Sequence, residues 1–268
     1  MRTSRRATPL AFRDGRLSAS GRELAAEAAI AISFNGVSHA VMMATPADLE
    51  DMAAGFSLSE GIASSMAEIE EIAVLEGARG FDVQVRIVHD AEARLAARRR
   101  AMAGPVGCGM CGLESIDAAM RDVAKVSAKV AIRSTDIVAA AAAMADAQAL
   151  NRLTRSVHAA GFWHPGEGLQ ALREDVGRHN ALDKLIGAMG GDLSGGAIIL
   201  SSRVSIELVQ KAANANCGLL LAVSAPTTLA VDVAREAGMT LVAVVRGDEF
   251  EIFTHPERVR EGALPHVA

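Results

Sequence analysis

The sequence predicts an α/β protein with a layered sheet in its C-terminal part and a smaller α+β subdomain before it. From residue 155 onward, short apolar runs alternate with segments whose apolar residues recur at helical spacing, which is typical of a sheet covered by helices. Hydrophobic residues make up 50% of the 268, enough for a substantial core. No apolar run reaches the roughly 18 residues that a membrane-spanning helix needs, so we expect no membrane partner.

The N-terminal subdomain is predicted over residues 21–125, after a flexible polar segment at 1–20. Asn35-Gly36, between two apolar runs, predicts a β-hairpin. Thr45 as N-cap and Pro46 at the first helical position predict a helix that runs to about residue 60. The later elements are expected as strands at 69–76 and 81–89 and helices at 92–100 and 113–127.

The C-terminal domain is predicted over residues 126–268. Its helices are expected at 134–150, 180–189, 205–216 and 228–237, and its strands at 157–162, 168–174, 197–200, 219–223, 240–245 and 250–254. This alternation of strands and helices predicts a sheet with helices packed on it.

Composition limits the partners and the compartment. A net charge of −5 and an aromatic content of 3% argue against a general nucleic-acid-binding protein, which usually has a basic face and stacking rings. Three cysteines, at 108, 111 and 217, are too few for a secreted disulfide scaffold, and no secretory signal follows the basic start. We therefore expect a cytoplasmic protein with free thiols.

The cysteine pair is the first candidate for chemistry. Cys108 and Cys111 are two thiols three residues apart, in a glycine-rich loop flanked by Gly107 and Gly112. Backbone N–H groups in such a loop lower a thiol pKa and favour a nucleophilic thiolate. A structural zinc site usually needs four ligands, and a second pair of this kind is absent. A redox dithiol lacks the surrounding thioredoxin pattern. Spacing alone leaves a nucleophile, a metal site and a plain loop open.

A charged segment from Arg173 to Lys184 precedes an apolar helical face. Arg178 and His179 at a helix N-terminus suit the binding of an anion. Capping of the helix by Asp175 or Asn180 is the simpler explanation for part of the cluster. Both interpretations remain open at this point.

Polar turns follow three of the predicted C-terminal strands. They contain Ser201-Ser202-Arg203, Ser224 to Thr228 and Arg246-Gly247-Asp248. In an open α/β sheet, ligands bind beyond the carboxyl ends of the strands, so these turns predict a phosphate-binding rim. No Walker A pattern is present, which argues against a P-loop.

A set of segments in family order resembles the formate dehydrogenase accessory sulfurtransferases, the FdhD family. The resemblance covers about residues 25–260 and is carried by Asn35-Gly36 through Thr45-Pro46, Gly55-Phe56, Ser59-Glu60-Gly61, Gly107-Cys108-Gly109-Met110-Cys111-Gly112, Glu174-Asp175-Val176-Gly177-Arg178-His179-Asn180-Ala181, Ser202-Arg203-Val204-Ser205, Ser224-Ala225-Pro226-Thr227 and Phe250-Glu251-Ile252-Phe253-Thr254-His255. Such a set is far more specific than one cysteine pair.

The resemblance implies a sulfur carrier that takes sulfur from a cysteine desulfurase as a persulfide on Cys108. It passes that sulfur to the molybdenum bis(molybdopterin guanine dinucleotide) cofactor, a bound client that formate dehydrogenase needs. A cytidine-deaminase-like C-terminal fold and a homodimer are implied as well. We further hypothesise that Cys111 assists release by attacking the Cys108 persulfide, which leaves a Cys108–Cys111 disulfide that must later be reduced.

The same resemblance directs the choice of cofactor-binding residues. It implies contacts along one C-terminal stretch, formed by Phe250, Glu251, Ile252, Phe253, Thr254 and His255. To these we add the side chains at the helix N-termini and strand ends, because the cofactor carries two pyrophosphates; they are Arg178, His179, Arg203, Ser224, Thr227 and Arg246.

Two alternatives compete with sulfur transfer. A zinc-dependent deaminase-like hydrolase would share the fold, but it places its cysteine pair after its histidine motif, whereas here the pair precedes every candidate histidine motif. A chaperone that only binds the cofactor would tolerate loss of both cysteines. We expect no permanent metal.

Overall fold

The computed structural model describes residues 1–101 and 123–262, with the backbone alone described at 97–101. The helices in these ranges are α1 (Leu49–Ser59), α2 (His89–Ala101), α3 (Ser134–Ala147), α4 (Ala149–Thr154), α5 (Arg178–Ala188), α6 (Ile206–Asn214) and α7 (Thr228–Ala237). The strands are β1 (Ser4–Ala7), β2 (Leu10–Arg13), β3 (Arg16–Ala19), β4 (Arg22–Ala25), β5 (Ala28–Phe34), β6 (Val37–Ala44), β7 (Ile69–Gly77), β8 (Gly80–Ile87), β9 (Ile132–Arg133), β10 (His158–His164), β11 (Gly168–Asp175), β12 (Ala197–Leu200), β13 (Leu219–Ala222), β14 (Thr240–Arg246), β15 (Glu249–Thr254) and β16 (Val259–Arg260).

The C-terminal domain is built on a six-stranded sheet in the order β11-β10-β12-β13-β14-β15. β12, β13 and β14 are parallel, while β10 runs antiparallel to both of its neighbours and β15 antiparallel to β14. Helices α5, α6 and α7 pack on one face and α3 on the other. The predicted α/β class is therefore confirmed as a sheet between two helical layers.

The N-terminal subdomain contains a four-stranded sheet in the order β6-β5-β8-β7. Asn35 and Gly36 adopt positive φ angles in the tight β5–β6 turn, as the dipeptide predicts. α1 and α2 pack on one face of this sheet through Leu49, Met52 and Leu95. The other face is turned away from this core, and we call it the outer face.

Residues 3–26 form a long two-stranded hairpin, which we call the N-terminal ribbon. β2 pairs with β3 across an Asp14-Gly15 turn, and β1 pairs with β4 nearer the base. We expected residues 1–20 to be loose, but strands occupy most of this segment.

Helix α1 begins later than the sequence predicts. Its N-cap residue is Asp48. Thr45 does not cap the helix, because its backbone N–H donates a hydrogen bond to Asp175 Oδ2 in the C-terminal domain. Residues 123–127 are not helical, which corrects the described part of the helix expected at 113–127. Within residues 1–101 and 123–262, no helix is both long and apolar enough to cross a bilayer.

The two parts of the chain meet where α1 crosses α5 at very short distance. A Cβ atom added to Gly55 would lie 1.7 Å from the carbonyl oxygen of Asp183, and one added to Gly187 would lie 1.9 Å from that of Asp51. Only glycine allows two backbones to approach this closely. Gly55 of the Gly55-Phe56 motif therefore fixes the position of α5, whose N-terminus carries Arg178 and His179.

Candidate functional site

Cys108 and Cys111 lie outside the described residues. The described chain before them ends with α2 and resumes at Val123, which packs against the core beneath the α5–α7 layer. The third cysteine, Cys217, is fully buried in that same core. Burial raises the pKa of its thiol to about 11, so it stays protonated and unreactive at neutral pH. Its interpretation as a core residue is confirmed.

The parallel strands bring most of the predicted binding residues to one side of the sheet. β11, β12, β13 and β14 all end at this side, which we call the carboxyl edge. The predicted residues found here are Arg178 and His179 at the start of α5, Arg203 before α6, Ser224 and Thr227 before α7, and Arg246 at the end of β14. This is the edge at which open α/β sheets bind their ligands.

Four buried polar atoms at the first turns of α5 and α6 have no hydrogen-bond partner. They are Nε of Arg178, Nε2 of His179, Oγ of Ser205 and Oε2 of Glu207. His179 Nε2 and Glu207 Oε2 lie 4.0 Å apart, too far for a hydrogen bond. Buried polar atoms are nearly always paired in folded proteins. Four unpaired atoms at two adjacent helix N-termini are therefore candidate contacts for a polar ligand group. We call these residues the open cluster.

The open cluster keeps its histidine neutral. Burial, followed by the charges of Lys211 and Arg178, lowers the pKa of His179 to about 4, against the opposing effect of Glu207 and Glu60. Burial and the charge of Arg178 also lower the pKa of His158, at the start of β10. A neutral imidazole both donates and accepts one hydrogen bond, so His179 is equipped to contact a ligand without carrying charge.

The segment from Arg173 to Lys184 also contributes to a second group of buried residues, whose side chains have hydrogen-bond partners. Lys184 Nζ lies 2.6 Å from Asp175 Oδ2 and donates to the carbonyl oxygen of Thr45 at 2.9 Å. Asp175 also accepts from the backbone N–H groups of Thr45 and Gly177, and Asn180 donates to it and to the carbonyl of Met43. We call Thr45, Asp175, Asn180 and Lys184 the closed cluster. It ties the end of β6 to the C-terminal domain.

A further buried ion network explains the Ser59-Glu60 motif. Lys211 Nζ contacts Asp183 Oδ1 at 2.9 Å, Glu60 Oε1 at 2.8 Å and Ser59 Oγ at 2.9 Å. Burial alone would lower the pKa of Lys211, but the two carboxylates raise it, so the ammonium is kept charged. This network holds α6, and with it Glu207, against α1 and α5.

The other predicted residues at the carboxyl edge are less enclosed. Arg203, Thr227 and Arg246 are exposed, and Ser224 is half-buried. The hydroxyl of Thr227 accepts a hydrogen bond from the backbone N–H of Ala230 at 3.2 Å and so caps α7. For Thr227, capping is the role that the geometry displays.

The segment Phe250–His255 does not lie at one place. β15 runs antiparallel to β14, so Phe250 lies near the carboxyl edge while Thr254 and His255 lie at the opposite edge. Glu251 and Ile252 are exposed, and Phe253, the next residue, is half-buried. Thr254 Oγ1 bonds the backbone of Met239 and Leu241. In a single chain, His255 is therefore separated from the open cluster.

His255-Pro256-Glu257 does form a His-x-Glu sequence, but its geometry is not that of a metal site. His255 Nδ1 contacts Glu257 Oε1 at 3.0 Å, and its Nε2 faces the carbonyl oxygen of Arg235. Within residues 1–101 and 123–262, no three His, Cys, Asp or Glu side chains are grouped to hold a metal ion.

Ser205 and Glu207 are the site residues that the sequence did not reveal. A serine before a helix and a glutamate in its first turn are ordinary capping and dipole residues. Only their burial without a partner distinguishes them. The one available signal was that Ser205 is the last residue of the Ser202-Arg203-Val204-Ser205 motif and that Glu207 follows it two residues later.

Comparison with known proteins identifies relatives of this chain. The model of the FdhD/NarQ family matches residues 25–260. The sulfur carrier protein FdhD of Agrobacterium fabrum is 54% identical over 260 residues, covering 95% of this chain and 96% of that protein. The sulfur carrier protein FdhD of Brucella abortus is 48% identical over 256 residues, covering 94% and 95%.

A solved structure of lower sequence identity also matches nearly the whole chain. The crystal structure of a protein assigned as a formate dehydrogenase accessory protein, from Desulfotalea psychrophila, superposes with a TM-score of 0.77. It is 25% identical in sequence, and the match covers 97% of this chain and 100% of that one.

Proposed function

Because this chain belongs to the FdhD/NarQ family, we propose that it is a sulfur carrier for formate dehydrogenase and that the sulfur travels as a persulfide on Cys108. Relatives named as sulfur carriers match nearly its whole length. The thiolate of Cys108 attacks the outer sulfur of a donor persulfide, as thiol exchange requires. A new S–S bond forms at Cys108, the donor S–S bond breaks, and the donor thiolate leaves. A cysteine desulfurase is the donor of this chemical type.

The proposed acceptor is the molybdenum bis(molybdopterin guanine dinucleotide) cofactor, bound at the carboxyl edge. The observation that carries this part is the open cluster of unpartnered buried atoms. Arg178 and the N-termini of α5 and α6 suit the pyrophosphate groups, since helix N-termini and guanidinium groups bind phosphate. Glu207 is an acceptor only, so it suits the N–H groups of a guanine or pterin ring.

The remaining contacts are proposed around this centre. Arg203, Arg246 and Ser224 would contact the outer phosphates, and Phe250 is the member of the 250–255 segment that lies on this side. The cytidine-deaminase-like fold, the cytoplasmic location and the homodimer implied by the resemblance stay part of the proposal.

Mass spectrometry tests the sulfur step directly. The chain is incubated with a cysteine desulfurase and cysteine, and Cys108 should gain about 32 mass units, the mass of one sulfur. The Cys108→Ser variant should gain none, while Cys217→Ser, the matched control, should gain as much as wild type. A chain that stays unmodified yet binds the cofactor would instead be a cofactor chaperone. Zinc held by Cys108 would overturn the proposal in favour of a hydrolase.

A further inference from the structure

His158 lies on the strand between the two strands that lead into the open cluster. In the sheet, β10 has β11 on one side and β12 on the other, and these strands lead into α5 and α6. His158 is the first residue of β10 and pairs with Asp175, the last residue of β11. Ala159 exchanges hydrogen bonds with Ser201, which directly follows β12. Because β10 is antiparallel to both neighbours, its first residue lies at the carboxyl edge.

The His158 side chain points to the face of the sheet that carries α5 and α6. Side chains alternate between the two faces along a strand. Ala160 and Phe162 pack in the core beneath α5, α6 and α7, whereas Ala159 and Trp163 pack in the core on the side of α3. His158 continues the series of Ala160 and Phe162. Its imidazole is therefore directed to the side on which the open cluster lies.

The imidazole of His158 is half-buried at this edge. It forms no side-chain hydrogen bond with another residue of the described ranges, 1–101 and 123–262. The charged groups that act on it are Arg178 on α5 and Asp175 on β11. Burial, followed by the charge of Arg178, lowers the pKa of His158 against the opposing effect of Asp175, so the ring is neutral at neutral pH. Asp175 is itself held by Lys184 at 2.6 Å.

The buried centre of the site has no surplus positive charge for a phosphate group. Arg178 carries one positive charge and the carboxylate of Glu207 one negative charge, while burial and the charge of Lys211 keep His179 neutral. Lys211 is already paired within its own ion network. A phosphate group that binds Arg178 brings up to about two negative charges. It also offsets the positive charge that opposes protonation of His158.

We propose that His158 is a further ligand-binding residue at the carboxyl edge and that it takes up one proton from the solvent when a phosphate group binds there. The protonated imidazole then donates a hydrogen bond to a phosphate oxygen beside the Arg178 guanidinium. No covalent bond forms or breaks. Binding of a phosphate ester or diphosphate should therefore strengthen as the pH falls through the neutral range. This inference rests on the proposed binding of a guanine dinucleotide at the same edge.

Calorimetry measures the proton directly. Guanosine diphosphate is titrated into the full chain in two buffers of different ionisation enthalpy, and the difference in heat gives the number of protons bound per nucleotide. At about pH 7, wild type should take up about 0.5–1 proton, because one histidine titrates. His158→Gln should take up less than about 0.2, with a dissociation constant about 5–10 times higher, because one charge-assisted hydrogen bond is lost.

His164→Gln is the matched control. His164 is the last residue of β10 and lies at the opposite edge of the sheet, so this variant should bind and take up protons like wild type. Uptake that persists in His158→Gln would place the proton on His179 or on the phosphate and overturn the proposal. Binding by wild type without uptake would also overturn it, and would leave the proposed site intact. A wild type that does not bind the nucleotide would overturn both.

Nuclear magnetic resonance of wild type covers the case in which His158→Gln unfolds. With histidine rings labelled with nitrogen-15, the midpoint of the His158 titration should move to higher pH when guanosine diphosphate is added. The midpoint of His164 should stay in place. Equal midpoints for His158 with and without the nucleotide would contradict the proposal.

Discussion

The closed cluster and the open cluster both take residues from the stretch 175–184, yet these residues differ in hydrogen bonding. Asp175, Asn180 and Lys184 are buried with partners for their side chains. Arg178 and His179, within the same ten residues, each bury a nitrogen atom without a partner. The difference separates two roles inside one motif. Fully paired residues hold the subdomains together, and the unpaired ones are those that we propose for ligand binding.

The largest expected effect is loss of the buried ion pair in the closed cluster. Lys184→Met should lower the free energy of unfolding by about 3–5 kcal/mol, because it leaves a buried carboxylate without its cation. Denaturant unfolding measures the change. Arg235→Met removes an exposed pair with Asp232 and should cost about 0–1 kcal/mol. Equal effects of the two variants would show that the closed cluster is not structural.

The pH dependence of stability should report the open cluster. The pKa of His179 is about 4 in the folded protein and about 6.5 when unfolded, so the unfolded chain binds more protons between these values. The contribution of the neutral imidazole is complete above pH 6.5 and is lost as the pH falls towards 4, by about 2–3 kcal/mol. His179→Gln should remove this part of the slope in unfolding experiments between pH 4 and 7. Parallel curves for the two proteins would contradict the assignment.

Ligand binding should be more sensitive than stability in the open cluster. Glu207→Gln should weaken the binding of guanosine diphosphate, used as a probe, by about 10-fold, because an N–H acceptor is replaced by an amide. Its free energy of unfolding should change by less than about 1 kcal/mol, since no hydrogen bond is broken. Calorimetry and denaturation measure the two quantities. Unchanged binding together with a large loss of stability would place Glu207 among the structural residues.

The smallest effect tests a residue that the sequence assigned to the cofactor. Thr227→Ala should cost about 1 kcal/mol of stability through loss of the helix cap, while Thr227→Ser should retain most of it. Guanosine diphosphate binding should be unchanged in both variants. Weaker binding with unaltered stability would restore Thr227 to the cofactor contacts.

Local pattern predicted most of the elements because their signals are short-range. The Asn35-Gly36 hairpin and the strand–helix alternation after residue 155 depend on turn residues and periodicity. The predicted start of α1 was wrong because Thr45 forms hydrogen bonds with Asp175 and Val176, about 130 residues away in the sequence. The N-terminal ribbon was missed although Asp14-Gly15 is a hairpin dipeptide, since the polar composition around it dominated the interpretation.

The candidate site was predicted in outline but not in detail. Polar turns after strands located the carboxyl edge, and the motif located Arg178 and His179. Local sequence cannot show whether a serine or glutamate at a helix start is buried without a partner, because that depends on how helices pack. It also gave no indication that β15 carries Phe250 and His255 to opposite edges.

Because Cys217 is fully buried, the rate at which its thiol reacts can report how often the domain opens. An alkylating reagent can reach this thiol only when the core beneath α6 transiently separates. The rate of its labelling in native buffer would therefore measure how often that core opens. Bound ligand at the nearby helix N-termini should slow the labelling, which would turn a silent side chain into a sensor of occupancy.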